Sequence, residues 1–256
     1  MKGVGMYRLI IGALCIALYL FSCSRELKVD VTEKHPNGKK KKEIYYYSRK
    51  SDPRRVILYD AEGRIKSDQF MKNGKPDSVT TIYHANGNKY KEVFYIQDKK
   101  TKQEMKHGKE MTWYENGQVK SETNYVNGYP EGVAVTYYED GTKASETPYK
   151  DGEKNGNAVE YFPDGKQKEL VPYVNGNIEG VRKEWYANGN PKKEETYVHN
   201  VLSGKWISYH ENGNKQTECT YKDGKLEGLK QEWYENGRLA AKATYENNQL
   251  IEGTRY

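Results

Sequence analysis

The sequence predicts an all-β protein, an elongated antiparallel β-meander of tandem hairpin units of about 24 residues. Three observations predict it: a glycine that recurs at a fixed spacing, a second turn signal between these glycines, and no convincing helical period. The glycine stands at positions 38, 63, 87, 117, 141, 165, 189, 213 and 237, so most steps are 24 residues. The array is predicted over residues 36–256, with about eight units, the first and last atypical.

Each unit is predicted to contain two tight turns. The recurring glycine follows a ring pair and an Asn or Asp, as in Trp113-Tyr114-Glu115-Asn116-Gly117. Eleven residues later comes a second turn dipeptide, as at Asn127-Gly128, with Asn200 and Asn248 replacing the glycine in two units. Such dipeptides favour type I′ turns, because both central residues need a positive φ. A third glycine, at 108, 132, 156, 180, 204 and 228, also follows the period.

The even repeat length predicts a sheet with two distinct faces. Strand side chains alternate between faces, so a 24-residue step returns each equivalent residue to the same face. With a two-residue turn at 116–117, one face is predicted to hold Trp113, Met111, Lys120 and Glu122. The other is predicted to hold Tyr114, Val119, Ser121, Thr123 and Tyr125.

Two steps between the recurring glycines depart from 24 residues. The six-residue excess near Asp98–Gly108 is even, so it can loop out without exchanging the faces. The 25-residue step between Gly38 and Gly63 is odd, so it requires a bulge or marks an irregular cap.

Each predicted face carries a row of aromatic side chains. The candidate binding surface is the row Trp113, Tyr137, Tyr161, Trp185, Tyr209 and Trp233. The row on the opposite face is Tyr114, Tyr138, Phe162, Tyr186 and Tyr234. Such rings can hold a thin sheet together across its strands. Tyr and Trp are also the usual anchors of interfaces, so the first row is equally a candidate for contact with a partner.

The repeated Tyr/Trp-Tyr-x-Asn-Gly motif resembles the MORN-repeat-variant family over roughly residues 36–253. The bacterial members of that family include proteins grouped with a YwqK-type antitoxin. The resemblance therefore implies an array of β-hairpins. Antitoxin membership would imply that the chain neutralises a toxin by direct binding.

The first 22 residues differ from the rest of the chain. A basic start precedes an apolar run, Leu9–Leu20, which is short for a membrane span and suits a signal peptide. The run ends in Leu20-Phe21-Ser22-Cys23, which resembles the lipobox of bacterial lipoproteins. That resemblance implies cleavage after residue 22, a lipid at Cys23, a tether over residues 23–35, and a place in the bacterial cell envelope. Ser24 is compatible with the outer membrane, and a plain cleaved signal peptide is the alternative.

The sequence predicts no catalytic, metal or cofactor site. The five histidines show no metal-ligand spacing, and His84 and His210 occupy the Tyr114 position of their units. Cys219 stands where other units have Thr, which indicates a small packing residue. The recurring carboxylates are interpreted as cross-strand partners of lysines: Glu122, Glu146, Glu194 and Glu218. An active site is a singular feature, whereas this sequence consists of multiples, so no enzyme is predicted.

The leading functional prediction is a non-enzymatic, lipid-anchored envelope protein that acts as a protein-binding scaffold. One alternative is an antitoxin or immunity-like protein, and another binds glycan or peptidoglycan through the aromatic rows. Loss of Lys2 and Arg8 lowers the net charge from +6 to +4, which is too mild to favour nucleic acid. The predicted partners are another protein and the membrane, the latter through Cys23. A homo-oligomer through exposed sheet edges stays open.

Overall fold

The computed structural model describes residues 27–47, 53–72, 75–98, 100–101 and 103–256, and this part of the chain is all-β. It forms one sheet of 23 antiparallel strands, which confirms the predicted fold class. The strands are β1 Lys28–Lys34, β2 Lys40–Tyr46, β3 Arg55–Tyr59, β4 Ile65–Lys72, β5 Lys75–Tyr83, β6 Lys89–Gln97, β7 Glu104–Lys106, β8 Gly108–Trp113, β9 Val119–Val126, β10 Tyr129–Pro130, β11 Gly132–Tyr137, β12 Lys143–Lys150, β13 Glu153–Lys154, β14 Gly156–Tyr161, β15 Gln167–Val174, β16 Asn177–Ile178, β17 Gly180–Trp185, β18 Pro191–Val198, β19 Val201–Tyr209, β20 Lys215–Lys222, β21 Lys225–Trp233, β22 Leu239–Glu246 and β23 Gln249–Arg255.

The N-terminal predictions meet the structure only in part. Residues 1–22 and Cys23 lie outside the described residues. The predicted tether over residues 23–35 contains β1, which pairs with β2 through contacts such as Asp30↔Ile44. The sheet therefore begins before residue 36. Alternation of apolar and polar residues in the β1 sequence KVDVTEK accounts for this strand.

The two kinds of turn differ, and one prediction was wrong. At the second turn, Asn127 and Gly128 both have positive φ (51° and 91°), as a type I′ turn requires. At the first turn, Asn116-Gly117, only the glycine has a positive φ (87°). Tyr114 N–H donates to the Gln118 carbonyl (2.9 Å), so the loop has three residues instead of the predicted two. Such a loop carries a bulge at its base.

The bulge changes the predicted faces at two positions. Trp113 pairs with Val119 and Thr112 with Ser121, which leaves Lys120 without an opposite residue. Val119 therefore lies on the face of Trp113, and the Lys120 ammonium lies 5.3 Å from the Tyr114 ring centroid. Val119 and Lys120 thus lie on the faces opposite to those predicted, whereas the residues beyond the bulge lie on their predicted faces. We call the two sides of the sheet the Trp113 face and the Tyr114 face.

The third glycine of each unit has a structural role that follows from its pairing. Gly132 lies opposite Tyr149, and the same pair recurs from Gly108↔Tyr125 to Gly228↔Tyr245. Gly132 has a φ of 79°, a conformation that L side chains rarely adopt. Each of these tyrosines thus stands on the Tyr114 face opposite a residue that has no side chain.

Neighbouring units are joined by a hydrogen bond that we call the ring clip. The Tyr114 hydroxyl donates to the Tyr137 carbonyl (2.7 Å), 23 residues further along the chain. His210 forms the same bond through Nε2 to the Trp233 carbonyl (2.8 Å). This geometry explains why histidine replaces tyrosine at this position. The clip donors are His35, His84, Tyr114, Tyr138, Tyr186, His210 and Tyr234.

A second inter-unit bond arises in the first turn. The Asn116 side chain accepts a hydrogen bond from Gln118 N–H (2.9 Å) and donates one to the Glu139 carbonyl (3.0 Å). Aspartate retains the first bond but has no N–H for the second. Units with Asp140 or Asp164 at this position therefore lack the asparagine contact.

The irregular steps leave the array in register. Across the six-residue excess, the His84 clip reaches the Trp113 carbonyl (2.9 Å), 29 residues away. Glu92 pairs with Met111 as Glu122 pairs with Val135, so the excess loops out as predicted. The extra residue of the 25-residue step falls between Tyr45 and Arg55, in a connection that is only partly described.

The sheet has little apolar core. The buried hydrophobic residues of the described chain are Ile57, Val93, Val171, Ile207 and Cys219. Three of them, Val93, Val171 and Cys219, occupy the Thr123 position on the Tyr114 face. With so few buried aliphatic side chains, the hydrogen bonds between units matter more than in a protein with a deep core.

We expect Tyr138→Phe to lower the free energy of unfolding by about 0.5–1.5 kcal/mol, the net value of one hydrogen bond. The reason is that this change removes the clip to the Tyr161 carbonyl (2.6 Å) and retains the ring. Denaturant unfolding of the full chain measures the change. Tyr137→Phe is the matched control, because the Tyr137 hydroxyl makes no hydrogen bond within the described residues. Equal effects of the two variants would contradict the role of the clip.

Candidate binding surfaces

The predicted binding row lies together on the Trp113 face, and its rings are half-buried. Some of these rings neighbour charged side chains of the preceding unit. The Lys89 ammonium lies 5.4 Å from the Trp113 ring centroid, and the Tyr161 hydroxyl donates to Glu146 Oε2 (2.9 Å). Lys143 in turn pairs with Glu146 at 2.5 Å. The row is therefore packed between ion pairs, with only part of each ring accessible to a partner.

The exposed hydrophobic side chains of this face are spread over separate units. Val133, Val181 and Leu229 stand four residues before a ring of the row, on the same strand and therefore on the same face. They are 54%, 37% and 50% exposed. The equivalent residues of the intervening units, Asn157 and Lys205, are polar. Tyr129, opposite Val126, is 64% exposed on this face as well. The Trp113 face therefore presents separate apolar side chains among polar ones.

The recurring glutamates have the predicted lysine partners. The Lys109 ammonium lies 2.6 Å from the Glu122 carboxylate across the strand pair, and the Lys205 ammonium lies 3.2 Å from Glu218. The hydrogen bonds of Lys215 and Lys205 lower the pKa of Glu218, against the opposing effect of burial. Ion pairs hold these carboxylates on an open face of the sheet, so their role is structural.

The Tyr114 face also carries a row of tyrosines that was not predicted from the sequence. Its members are Tyr46, Tyr95, Tyr125, Tyr149, Tyr173, Tyr197, Tyr221 and Tyr245, and all are half-buried. Lysines stack on two of them: the Lys106 ammonium lies 4.5 Å from the Tyr125 centroid, and Lys154 lies 4.8 Å from Tyr173. The signal was present in the sequence as a tyrosine eight residues after every recurring glycine except Gly63, which has Met71 there.

An ion network on the Tyr114 face was also missed. Arg182 Nε donates to Glu169 Oε1 (2.6 Å), and Nη1 donates to Glu195 Oε2 (2.8 Å). The Glu195 side chain, in a residue only 7% exposed, also accepts a hydrogen bond from Trp206 Nε1 (3.0 Å). Burial opposes the charge of Arg182, but the surrounding glutamates raise its pKa. Little in the sequence signalled this network, because the residue equivalent to Arg182 varies between units: Glu110, Ala134, Ala158, Trp206 and Lys230.

A groove of about 510 Å³ opens beside this network. Its lining includes Phe162, Trp185 and Tyr186, together with seven charged side chains. Phe162 occupies the clip position, but it has no hydroxyl and cannot donate to the Trp185 carbonyl. The charged lining residues are Glu160, Lys168, Glu169, Arg182, Glu184, Lys192 and Glu211.

The remaining sequence candidates lie apart from these surfaces or are packed within the sheet. Cys219 is 3% exposed, and burial raises the pKa of its thiol to about 11, so it is almost wholly protonated at neutral pH. Across the residues that the structure describes, no cluster of His, Cys, Asp or Glu could hold a metal ion. No helix in that part of the chain is long and apolar enough to cross a membrane.

We expect acid to destabilise the sheet. For Glu184, burial raises the pKa, but Lys193, Arg182 and Lys192 together lower it below 4.5. A carboxylate whose pKa is lower in the folded state stabilises the fold above its unfolded pKa, and this contribution is lost as the pH falls through the folded pKa. The free energy of unfolding should therefore be smaller at pH 3 than at pH 7. Denaturant unfolding at the two pH values measures it, and equal stabilities would contradict the expectation.

Comparison with known proteins supports the repeat. The model of the MORN repeat variant family matches residues 106–127, 130–151, 178–199, 202–223 and 226–247. Each matched segment contains two strands joined by the first, three-residue turn and ends at the first residue of the second turn. None of the curated proteins compared with the chain matches it.

Two solved structures share a weak likeness with the chain. They are titled "Crystal Structure of TcdB2-TccC3-TEV" and "Crystal Structure of TcdB2-TccC3". Both are 10% identical over 86% and 85% of this chain, with TM-scores of 0.22 and 0.21. The chain spans only 14% and 15% of the length of those chains, so nothing about function follows from the likeness. Five segments of the chain thus match the MORN repeat variant, and each contains one hairpin of the sheet.

Proposed function

We propose that this chain is a non-enzymatic, lipid-anchored protein of the bacterial envelope that binds another protein through the Trp113 face. Repeats of this type suggest a protein that binds other molecules. The single observation that carries the choice of face is its exposed Val133, Val181 and Leu229, each beside a half-buried ring. Apolar and aromatic side chains surrounded by polar residues are the usual anchors of a protein contact.

The charges of the Trp113 face support a protein partner more than a glycan. Its rings are packed between lysine–glutamate pairs, such as Lys143–Glu146, so their flat sides are not freely available for stacking on sugars. Ion pairs around apolar side chains resemble the polar rim of a protein interface. The proposed contact therefore uses aliphatic side chains at its centre and charged pairs at its border.

The test of the contact is a capture experiment on the full chain. The protein is tagged at its C-terminus, cross-linked in intact cells of its source and purified from detergent-solubilised envelopes. We expect one protein to be enriched, and we expect the triple variant Val133→Lys, Val181→Lys and Leu229→Lys to lose at least about tenfold of it, since three desolvated apolar contacts are removed.

Thr136→Lys is the matched control, because Thr136 is exposed on the Tyr114 face. It should capture the partner as well as the unaltered chain does. Capture that survives the triple variant would refute the Trp113 face as the contact. Enrichment of peptidoglycan fragments instead of a protein would favour the glycan alternative.

The lipid anchor is tested separately. We expect mass spectrometry of the mature N-terminal peptide to find diacylglycerol on Cys23, since the residues 20–23 resemble a lipobox. Cys23→Ala should leave the chain unlipidated and shift it from the membrane fraction to the soluble fraction. An unmodified Cys23 in the mature protein would refute the anchor and leave the protein contact untouched.

A further inference from the structure

The joint between the units of Gly165 and Gly189 lacks the side-chain bonds that other joints have. Phe162 stands at the clip position, so the Trp185 carbonyl receives no ring donor, whereas seven other units supply one. Asp164 likewise has no amide to donate, and Lys166 Nζ approaches the Ala187 carbonyl instead (3.2 Å). No ring donor thus reaches the Trp185 carbonyl, which can accept a hydrogen bond from a bound group; the unit of Gly63 also lacks a ring donor, since Asp60 stands at its clip position.

The groove beside this carbonyl has the size of a small ligand site. Its volume of about 510 Å³ lies within the usual range of roughly 300–1,000 Å³. Phe162 and Tyr186 supply aromatic surface. The groove lies at a joint where the repeat loses its clip.

The lining charges favour a cation. Four carboxylates and three cationic side chains line the groove. Three of the carboxylates are paired: Glu160 with Lys168, Glu184 with Lys192 and Arg182, and Glu169 with Arg182. Glu211 has no ion-pair partner within the described residues. A bound cation would therefore balance the net negative charge.

The rings of this row already attract cations elsewhere. The Lys120 ammonium lies 5.3 Å from the Tyr114 centroid, and Lys192 lies 6.0 Å from Tyr186. Lys168, the residue equivalent to Lys120 and Lys192, pairs with Glu160 instead of covering Phe162. The Phe162 ring thus stands without a stacked cation in the described part of the chain.

We propose that this groove is a recognition pocket for a guanidinium group, the side chain of an arginine in a protein partner. A guanidinium is planar, so it can stack on Phe162 while its N–H groups donate to the Trp185 carbonyl and to Glu211. An ammonium offers no plane to stack. The inference extends the proposed protein-binding function to the Tyr114 face, yet its test does not require the partner.

The test titrates the full chain with N-acetyl-arginine amide and follows binding by isotope-edited NMR. We expect saturable shifts at residues of the groove. N-acetyl-citrulline amide has the same shape without the charge, and it should bind at least about tenfold more weakly, since charge-assisted hydrogen bonds are worth more than about 1.4 kcal/mol. Equal binding of the two probes, or no saturable shift, would overturn the pocket.

Phe162→Tyr is the decisive variant. Its hydroxyl would occupy the place of the donor at the Trp185 carbonyl, so arginine amide should bind about tenfold more weakly, whereas the unfolding midpoint should stay equal or rise. Unchanged affinity in this variant would refute the role of that carbonyl. Tyr138→Phe is the matched control, because it removes a donor from another unit and should leave arginine affinity unchanged.

Glu211→Gln is a second test of the pocket, for the case in which Phe162→Tyr alters the fold. Glu211 is exposed, and its carbonyl, which accepts the Asn188 side chain (2.9 Å), is retained. The loss of its charge should weaken arginine binding severalfold, and unchanged affinity would refute the carboxylate contact. Capture of a partner without any binding of arginine amide would refute this pocket alone.

Discussion

The hydrogen bond from a ring donor to a backbone carbonyl of the next unit is the interaction on which this array depends. The donor and the carbonyl are 23 residues apart in Tyr138 and 29 apart across the insertion at His84, so the sheet register is kept while the intervening loop changes length. Tyrosine and histidine both supply the donor. Few aliphatic residues are buried, and the clip therefore connects hairpins that a core would otherwise have to hold.

Glycine makes the array possible at three positions, for different reasons. The first turn needs one residue of positive φ at the end of a three-residue loop, as at Gly117. The second needs two, so Asn127 adopts φ 51° before Gly128. The third, as in Gly132 opposite Tyr149, has a φ of 79°, and a Cβ there would meet nothing within 4 Å, so the backbone conformation and not the space requires glycine.

The periodic part of the structure could be predicted from the sequence, because period, turn dipeptides and alternation are local properties. The fold class, the type I′ second turns and the looped-out insertion were predicted for this reason. The faces of Val119 and Lys120 were not, because a bulge depends on the pairing of Trp113 with its opposite strand. The Arg182 network and its groove were missed as well. Their partners come from different strands, and the position of Arg182 varies from unit to unit, so the sequence did not single it out.

The departures from the repeat are coupled physically. Phe162 removes the clip at one joint, and Arg182, on β17, bonds to Glu169 on β15 and to Glu195 on β18 across that same joint. An ion network thus connects the strands there, while the ring and carbonyl of the lost clip stay accessible. A structural requirement alone would be met by the tyrosine that other units use, at a smaller desolvation cost than a half-buried arginine with three glutamates. Phe162 and Arg182 therefore alter the same joint, which is where the proposed pocket lies.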